Sequence, residues 1–210
     1  RKAMGEAAVA AARACGYEGA GTVEFVVDKE GHFYFIEMNT RIQVEHPVTE
    51  MVTGIDLVRE QLRVAAGLPL SFTQEDVVIR GHALEVRINA EDPAQGFRPC
   101  PGKTEFIHFP GGNGVRVESA LYNGFTLTPY YDSMVAKIIV HAPTRLGAVR
   151  RMRRCLEELV VEGYPTGSDL AYLILYRGEF LLGNYDTSFI EDHLEELLQI
   201  DRSATEEAEK

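Results

Sequence analysis

The sequence predicts an α+β chain, and three features predict it. Residues 2–15 are alanine-rich, with Met4, Ala8, Ala11, Ala12 and Cys15 at helical spacing. Two runs of aromatic and β-branched residues then follow, with only Lys29-Glu30-Gly31-His32 between them, which reads as a hairpin. Beyond Asp76, short alternating runs give way to helical patterns. These features divide the chain into residues 1–76, residues 77–200 and an acidic end, 201–210.

The elements follow in order. Gly16 stops the first helix as a C′ residue. Thr22-Val23-Glu24-Phe25-Val26-Val27-Asp28 is the first strand. A four-residue loop would set Asp28 opposite Phe33 and Glu24 opposite Glu37; a slip of one residue would put the two acids on opposite faces. From Glu37 every second residue is polar: Glu37, Asn39, Arg41, Gln43 and Glu45. An extended backbone would place all five on one face, and His46-Pro47 would end the segment. Ile55, Val58, Leu62 and Ala65 mark an amphipathic helix that stops at Gly67, and Leu68-Pro69-Leu70 opens a linker.

The second part begins with an alternating strand, Ala83 to Asn89, and a loop rich in Pro and Gly. Further strands are expected near 103–108, 114–118 and 134–141. Thr144 caps a helix with Leu146, Val149, Met152, Leu156 and Leu159 on one face. Arg145, Arg150, Arg151, Arg153 and Arg154 fall mainly on the other, which is expected to be solvated or at an interface. Two more helices are expected near 168–178 and 187–199, and a disordered tail over 201–210.

Composition narrows the function. Apolar residues are 45% of the chain, enough for a sizeable core. The net charge is −11, from 32 acids and 21 bases, so binding to a nucleic-acid backbone is not expected. Cys15, Cys100 and Cys155 are odd in number, widely spaced and fit no metal pattern, which points to free thiols in a reducing, cytoplasmic setting. No apolar run approaches the roughly 20 residues of a membrane span. The chain starts at Arg1 inside a helical pattern, as a piece of something longer would.

Chemistry is carried by the acids. Glu24 opposite Glu37 would destabilise a sheet, and a divalent cation would relieve the repulsion. The residues alone leave open whether the pair is simply solvated or matched by an arginine. Arg41 can hold a small planar oxyanion with its fork of donors. Glu45 is either its ion-pair partner or a group that takes a proton from a bound acid. No phosphate loop or dinucleotide fingerprint occurs, and Gly111-Gly112-Asn113-Gly114 reads as a turn. His82, His108, His141 and His193 are expected to be structural or exposed, and Tyr130-Tyr131-Asp132 to be packing or a subunit contact.

The run Glu37-Met38-Asn39-Thr40-Arg41-Ile42-Gln43-Val44-Glu45-His46-Pro47-Val48-Thr49-Glu50 closely resembles the active-site segment of biotin carboxylases, which are ATP-grasp enzymes. The likeness continues through Gly19 to Phe25, Arg80 to Pro93, Gly114 to Ser119 and Tyr130 to Lys137. It implies the second half of an ATP-grasp domain, an antiparallel sheet with helices, followed by the family's C-terminal α+β domain. By resemblance, Glu24 and Glu37 are ligands of Mg²⁺ (or Mn²⁺) and Asn39 lies at a second metal. Val26 packs against the adenine of ATP. Arg41, Gln43 and the backbone of Val44 form the bicarbonate pocket, Glu45 is the general base, and Arg116 contacts biotin and stabilises its enolate.

The implied reaction is carboxylation of biotin on a carrier protein through carboxyphosphate, the first half-reaction of acetyl-CoA carboxylase in fatty acid biosynthesis. Propionyl-CoA, methylcrotonyl-CoA and pyruvate carboxylases are alternative parents, and a non-catalytic dimerisation fragment is another. Implied partners are the biotin carboxyl carrier protein, carboxyltransferase subunits or domains, and a second copy in a homodimer. The family's first half, with its glycine-rich lid, has no counterpart here, so the chain alone is expected not to hydrolyse ATP. Gly163-Tyr164-Pro165-Thr166-Gly167 departs from the family at a segment that borders adenine.

Overall fold

A computed structural model describes residues 1–208, with side chains through residue 204. The chain forms two compact units, Arg1–Ile79 and Arg80–Lys210.

The first unit contains helix α1 (Lys2–Ala14), strands β1 (Thr22–Val27) and β2 (Phe33–Asn39), and helices α2 (His46–Thr53) and α3 (Leu57–Ala65). Alanine favours α1 by intrinsic propensity, since none of its residues is buried. β1 and β2 are antiparallel, and their register places Glu24 opposite Glu37 and Thr22 opposite Asn39. The route to that register differs from the simple hairpin. The turn is tighter than expected: Asp28 N–H donates to His32 O at 2.9 Å and Val27, not Asp28, pairs with Phe33. Gly31 supplies the positive φ, +85°, that this turn needs. A bulge at Ile36 then restores the offset, because Phe25 pairs with Phe35 while Glu24 pairs with Glu37. On the reverse face Phe25 meets Phe33 and Phe35 edge-on, with centroids 5.4 and 6.4 Å apart.

The extended run expected through Glu45 is corrected. β2 stops at Asn39, Thr40 and Arg41 bend, and Val44-Glu45 form a turn. Pro47 is buried in the first turn of α2 instead of ending a strand. Its missing N–H would have no partner there in any case, and its fixed φ suits a helix start. Asp56 caps α3, accepting from Arg59 N at 2.8 Å. Glu60 is buried and accepts from Ser71 N at 2.9 Å and Ser71 Oγ at 2.6 Å, which pins the linker to α3.

The second unit contains β3 (His82–Asn89), β4 (Glu91–Asp92), β5 (Arg98–Pro99), β6 (Phe106–His108), β7 (Val115–Ser119) and β8 (Met134–Ala142). After these come α4 (Arg145–Glu158), β9 (Val160–Glu162), α5 (Ser168–Ile174), α6 (Gly178–Leu182) and α7 (Phe189–Ala208). β8 is the centre of an antiparallel sheet of order β3-β8-β7. Period-two alternation gives that sheet two unlike faces. Ile88, Ala136, Ile138 and Val140 join Ala148, Val149, Met152 and Cys155 of α4 in the core. Glu85, Arg87, Arg116, Glu118 and Lys137 fall on the opposite side.

Four further expectations change. Four of the five arginines of α4 are tethers, and only Arg150 lies on an exposed face. Arg145 donates to Phe180 O and Leu181 O at 2.7 and 2.6 Å and lies over the Phe180 ring. Arg153 donates to Leu175 O, with its guanidinium 3.7 Å from the Tyr176 ring centroid. Arg151 reaches His141 O, and Arg154 reaches Gly111 O at 3.0 Å. Carbonyls at the ends of short helices lack intrahelical partners, and guanidinium groups satisfy several of them here. Leu146, grouped with the apolar face of α4, is 46% exposed. Tyr130 and Tyr131 are each 85% exposed, so they do not pack within the chain, which leaves the subunit contact of the two expected roles. Finally, α7 runs through Ala208, so residues 201–208 are helical, not a disordered tail; residues 209 and 210 lie outside the described part. Among the described residues no helix is long and apolar enough to cross a membrane.

Candidate functional site

The acid pair of β1 and β2 is the centre of a hydrogen-bonded cluster. Asn39 sits two residues beyond Glu37 on the same face, and its Nδ2 donates to Glu24 Oε1 at 2.9 Å and to Glu37 Oε1 at 3.0 Å. One amide therefore bridges both carboxylates. Gln43 Nε2 reaches the same Glu24 oxygen at 3.3 Å. Arg41 closes the set, donating to Asn39 Oδ1 at 3.2 Å and to Gln43 Oε1 at 3.5 Å. The bend at Thr40–Arg41, not a continued strand, brings Arg41 and Gln43 back onto the acids. His46 holds the turn that follows, with Nδ1 2.9 Å from Gln43 O. Glu45 is exposed at the N-cap position of α2, and Val44 precedes it in the turn. Val26 is on the Glu24 face of β1, opposite Tyr34, and 53% exposed.

The donor set fits a hard cation. Two carboxylates from directly paired residues flank one amide nitrogen, and oxygen ligands of this kind suit Mg²⁺ or Mn²⁺. In this structure Asn39 presents its NH₂ to the acids and its oxygen to Arg41. A separate apolar cavity of about 660 Å³ is lined by Leu57, Val64, Leu68, Pro69, Leu70 and Phe72, and none of the cluster residues lines it. Asp28, Glu30 and His32 also converge at the hairpin tip. Asp28 there accepts from His32 N, His32 Nδ1 and Tyr34 Oη, all within 3.2 Å, and so serves the turn.

Arg116 belongs to the second unit, on β7. It is ion-paired with Glu118, whose other oxygen lies 2.6 Å from Lys137 Nζ. Burial pushes the Glu118 carboxyl up, but the bonds from Lys137 and Arg116 outweigh it and hold it below its usual range. Glu118 and Lys137 were not singled out from sequence. The signal was available: an Arg-x-Glu spacing on one strand, and a lysine between apolar neighbours on the next.

A family model for the C-terminal domain of biotin carboxylase matches residues 85–192, just over half of the chain. The chain belongs to the biotin carboxylase family. Residues 1–73 match the ATP-binding domain of the carbamoyl-phosphate synthase L chain, which agrees with an ATP-grasp second half. The biotin carboxylase of Nostoc sp. is 53% identical over 192 residues, which are 91% of this chain and 43% of the relative. Biotin carboxylase 1 of Bacillus subtilis is 54% identical over 194 residues, 92% of this chain and 43% of that protein. Among solved structures, the biotin carboxylase domain dimer of Hydrogenobacter thermophilus 2-oxoglutarate carboxylase, with MgADP, ADP and bicarbonate, aligns with TM-score 0.89 at 50% identity. It covers 92% of this chain and 43% of that one. The biotin carboxylase subunit of a pyruvate carboxylase gives TM-score 0.89 at 51% identity, over 94% of this chain and 44% of that one. The chain thus spans less than half the length of the relatives it matches.

Proposed function

We propose that this chain carries the metal–phosphate face, the bicarbonate pocket and the biotin-facing arginine of an ATP- and bicarbonate-dependent biotin carboxylase. The observation that supports this best is the continuous hydrogen-bonded cluster of Glu37, Asn39, Glu24, Gln43 and Arg41. It gathers anionic ligands and an oxyanion-binding guanidinium on one small surface.

In this proposal Arg41 and Gln43, with the Val44 backbone, hold bicarbonate in place. Arg41 supplies two parallel donors to a planar anion. Glu45 takes the bicarbonate proton. The dianion attacks the γ-phosphate of ATP, forming carboxyphosphate and releasing ADP. Carboxyphosphate breaks down to CO₂ and phosphate, and the phosphate removes the N1 proton of biotin. Arg116 holds the resulting enolate oxygen while N1 captures CO₂. Val26 offers an apolar surface to adenine. Glu24, Glu37 and Asn39 would hold Mg²⁺ or Mn²⁺, which when bound supplies charge neutralisation to the nucleotide phosphates.

The substrate is biotin on a carrier protein, and the carboxyltransferase partner sets the final acceptor. Acetyl-CoA, within fatty acid biosynthesis, is our assignment for that acceptor, in a cytoplasmic enzyme. Relatives named simply biotin carboxylase, without another acceptor in the name, agree with it. Neighbours from 2-oxoglutarate and pyruvate carboxylases make those acceptors the ones to test against it. A homodimer is assigned by analogy with the dimeric neighbour.

The test is Glu45→Gln in the intact natural polypeptide that carries this chain. Bicarbonate- and biotin-dependent ATP turnover should fall at least about 100-fold, with MgADP affinity kept within a few-fold. Turnover at the wild-type rate would overturn the base assignment. The 210-residue chain alone should show no bicarbonate-dependent ATP hydrolysis; a biotin-stimulated signal from it would refute that expectation.

A further inference from the structure

We propose that Asn39 is a positioning residue for Arg41: its amide restrains the guanidinium until a cation takes the acid pair, so that metal and bicarbonate favour each other. The inference rests on the reading of Glu24 and Glu37 as metal ligands and of Arg41 as the bicarbonate arginine. The neighbours of Asn39 dictate how its amide is turned. Nδ2 carries two donors and Oδ1 only accepts. On one side lie Glu24 Oε1 at 2.9 Å and Glu37 Oε1 at 3.0 Å, and a carboxylate only accepts. On the other lies Arg41 Nη2 at 3.2 Å, and a guanidinium only donates. Turning the amide over would set acceptor against acceptor on one side and donor against donor on the other. The other terminal nitrogen, Arg41 Nη1, donates to Ile42 O at 3.2 Å and to Gln43 Oε1 at 3.5 Å. Both ends of the Arg41 fork are therefore held by residues 39–43. Gln43 spans the same gap, but its contacts with Glu24 and Arg41 are longer, 3.3 and 3.5 Å, so Asn39 is the tighter tie.

A cation at the acids reverses the preference of the amide. A side-chain carbonyl oxygen ligates a hard cation, whereas an amide NH₂ does not. To stay beside the acids, Asn39 has to turn Oδ1 toward the ion. Nδ2 then faces the Arg41 guanidinium, donor against donor, and that bond is lost. Nη2 is returned to the open edge of the guanidinium, where a planar oxyanion can take two parallel bonds. Both binding events thus act on one torsion, χ2 of Asn39, which has two discrete settings. The setting that serves the cation is the one that releases Arg41. An anion that draws Arg41 away leaves Asn39 Oδ1 ready for the cation. Each ligand biases the same two-state element, so the coupling between them is reciprocal.

The experiment measures binding, not turnover, in the intact natural polypeptide that carries this chain. Mn²⁺ is the probe, with free Mn²⁺ read by electron paramagnetic resonance at saturating ADP, with and without saturating bicarbonate. Bicarbonate should tighten Mn²⁺ binding about 5- to 20-fold in the wild type. In Asn39→Ala, which lacks the tie, the factor should fall to about 2-fold or less, the part that charge attraction alone supplies. Asn39→Asp presents oxygen on both sides and keeps Arg41 paired whether or not the ion is present, so its factor should fall as far. It keeps the size of asparagine and covers the case in which the alanine variant fails to fold. Bicarbonate affinity in EDTA, read by ¹³C line broadening, should shift in opposite directions: tighter than wild type in Asn39→Ala and weaker in Asn39→Asp. A merely structural role for Asn39 would not split the two variants in this way. A wild-type factor in both variants, or no coupling in the wild type, would overturn the inference. The site reading would survive that result if Glu37→Gln weakens Mn²⁺ binding and Arg41→Met weakens bicarbonate binding. Unchanged affinity in either of those two variants would overturn the site reading and this inference with it.

Discussion

Replacing Glu37 with glutamine should make the first unit more stable when no divalent cation is present. Asn39 Nδ2 touches both Glu24 and Glu37, at 2.9 and 3.0 Å, so the two carboxylate oxygens lie no more than about 6 Å apart. At about 5–6 Å, two like charges repel by roughly 0.7 kcal/mol in water and roughly 3 kcal/mol at an effective dielectric near 20. Glu37 is exposed and Glu24 half-buried, so the lower part of that range applies, about 1 kcal/mol. Glutamine keeps an oxygen to accept from Asn39 and removes only the charge. Amide hydrogen exchange of residues 22–39 in EDTA reads the change locally. Protection should rise about five-fold in the variant, and the gain should shrink at 1 M salt, where the Debye length is about 3 Å. Adding Mg²⁺ should protect the wild-type hairpin more than the variant, because binding to the folded state stabilises it. Equal or lower protection of the variant in EDTA would refute the view that these acids are held together against their repulsion.

Three other outcomes are expected. Burial, with the nearby Asp201 charge, raises the Asp169 carboxyl above its usual 3.8; its contribution to stability is therefore present below that value and lost as pH rises through the raised one. Asp169→Asn should raise the melting temperature at pH 7 and leave it nearly unchanged at pH 3. Gly163 has φ +116°, and a Cβ there would run into the Lys103 carbonyl. Gly163→Ala should destabilise by about 3 kcal/mol or more, against about 1 kcal/mol for Gly183→Ala, whose Cβ would meet nothing; urea unfolding separates the two. Arg153→Met should cost about 1–2 kcal/mol by urea unfolding, from the lost Leu175 carbonyl bonds and the stack on Tyr176.

Local patterns made much of this chain legible. Period-two spacing put Glu37 and Asn39 on one face, and the short loop between two β-branched runs made a hairpin the economical choice. Thr144 and Pro/Gly punctuation placed α4 and the strand before it, while β9 after it was not foreseen. The alternation from Arg41 to Glu45 misled, because a bend followed by a turn shows the same polar spacing as a strand. Pro47 misled in the same way, since proline suits both the end of a strand and the first turn of a helix. What α4's arginines touch could not be read at all: a polar helix face is identical in sequence whether it meets water or the open carbonyls of another helix. Lys137 was more legible, as a charge between apolar neighbours, although its partner Glu118 lies 19 residues earlier on β7.

The bulge at Ile36 acts as an expansion joint in the β1–β2 hairpin. In a regular hairpin, any change of length at the tip is transmitted down the ladder and turns every side chain beyond it over. Here the slack sits between the tip and the carboxylates. A residue added near Gly31, or Ile36 itself removed, can be taken up on the distal side of the joint while Glu24 still meets Glu37. The length of the tip therefore does not by itself decide which residues meet at the acids.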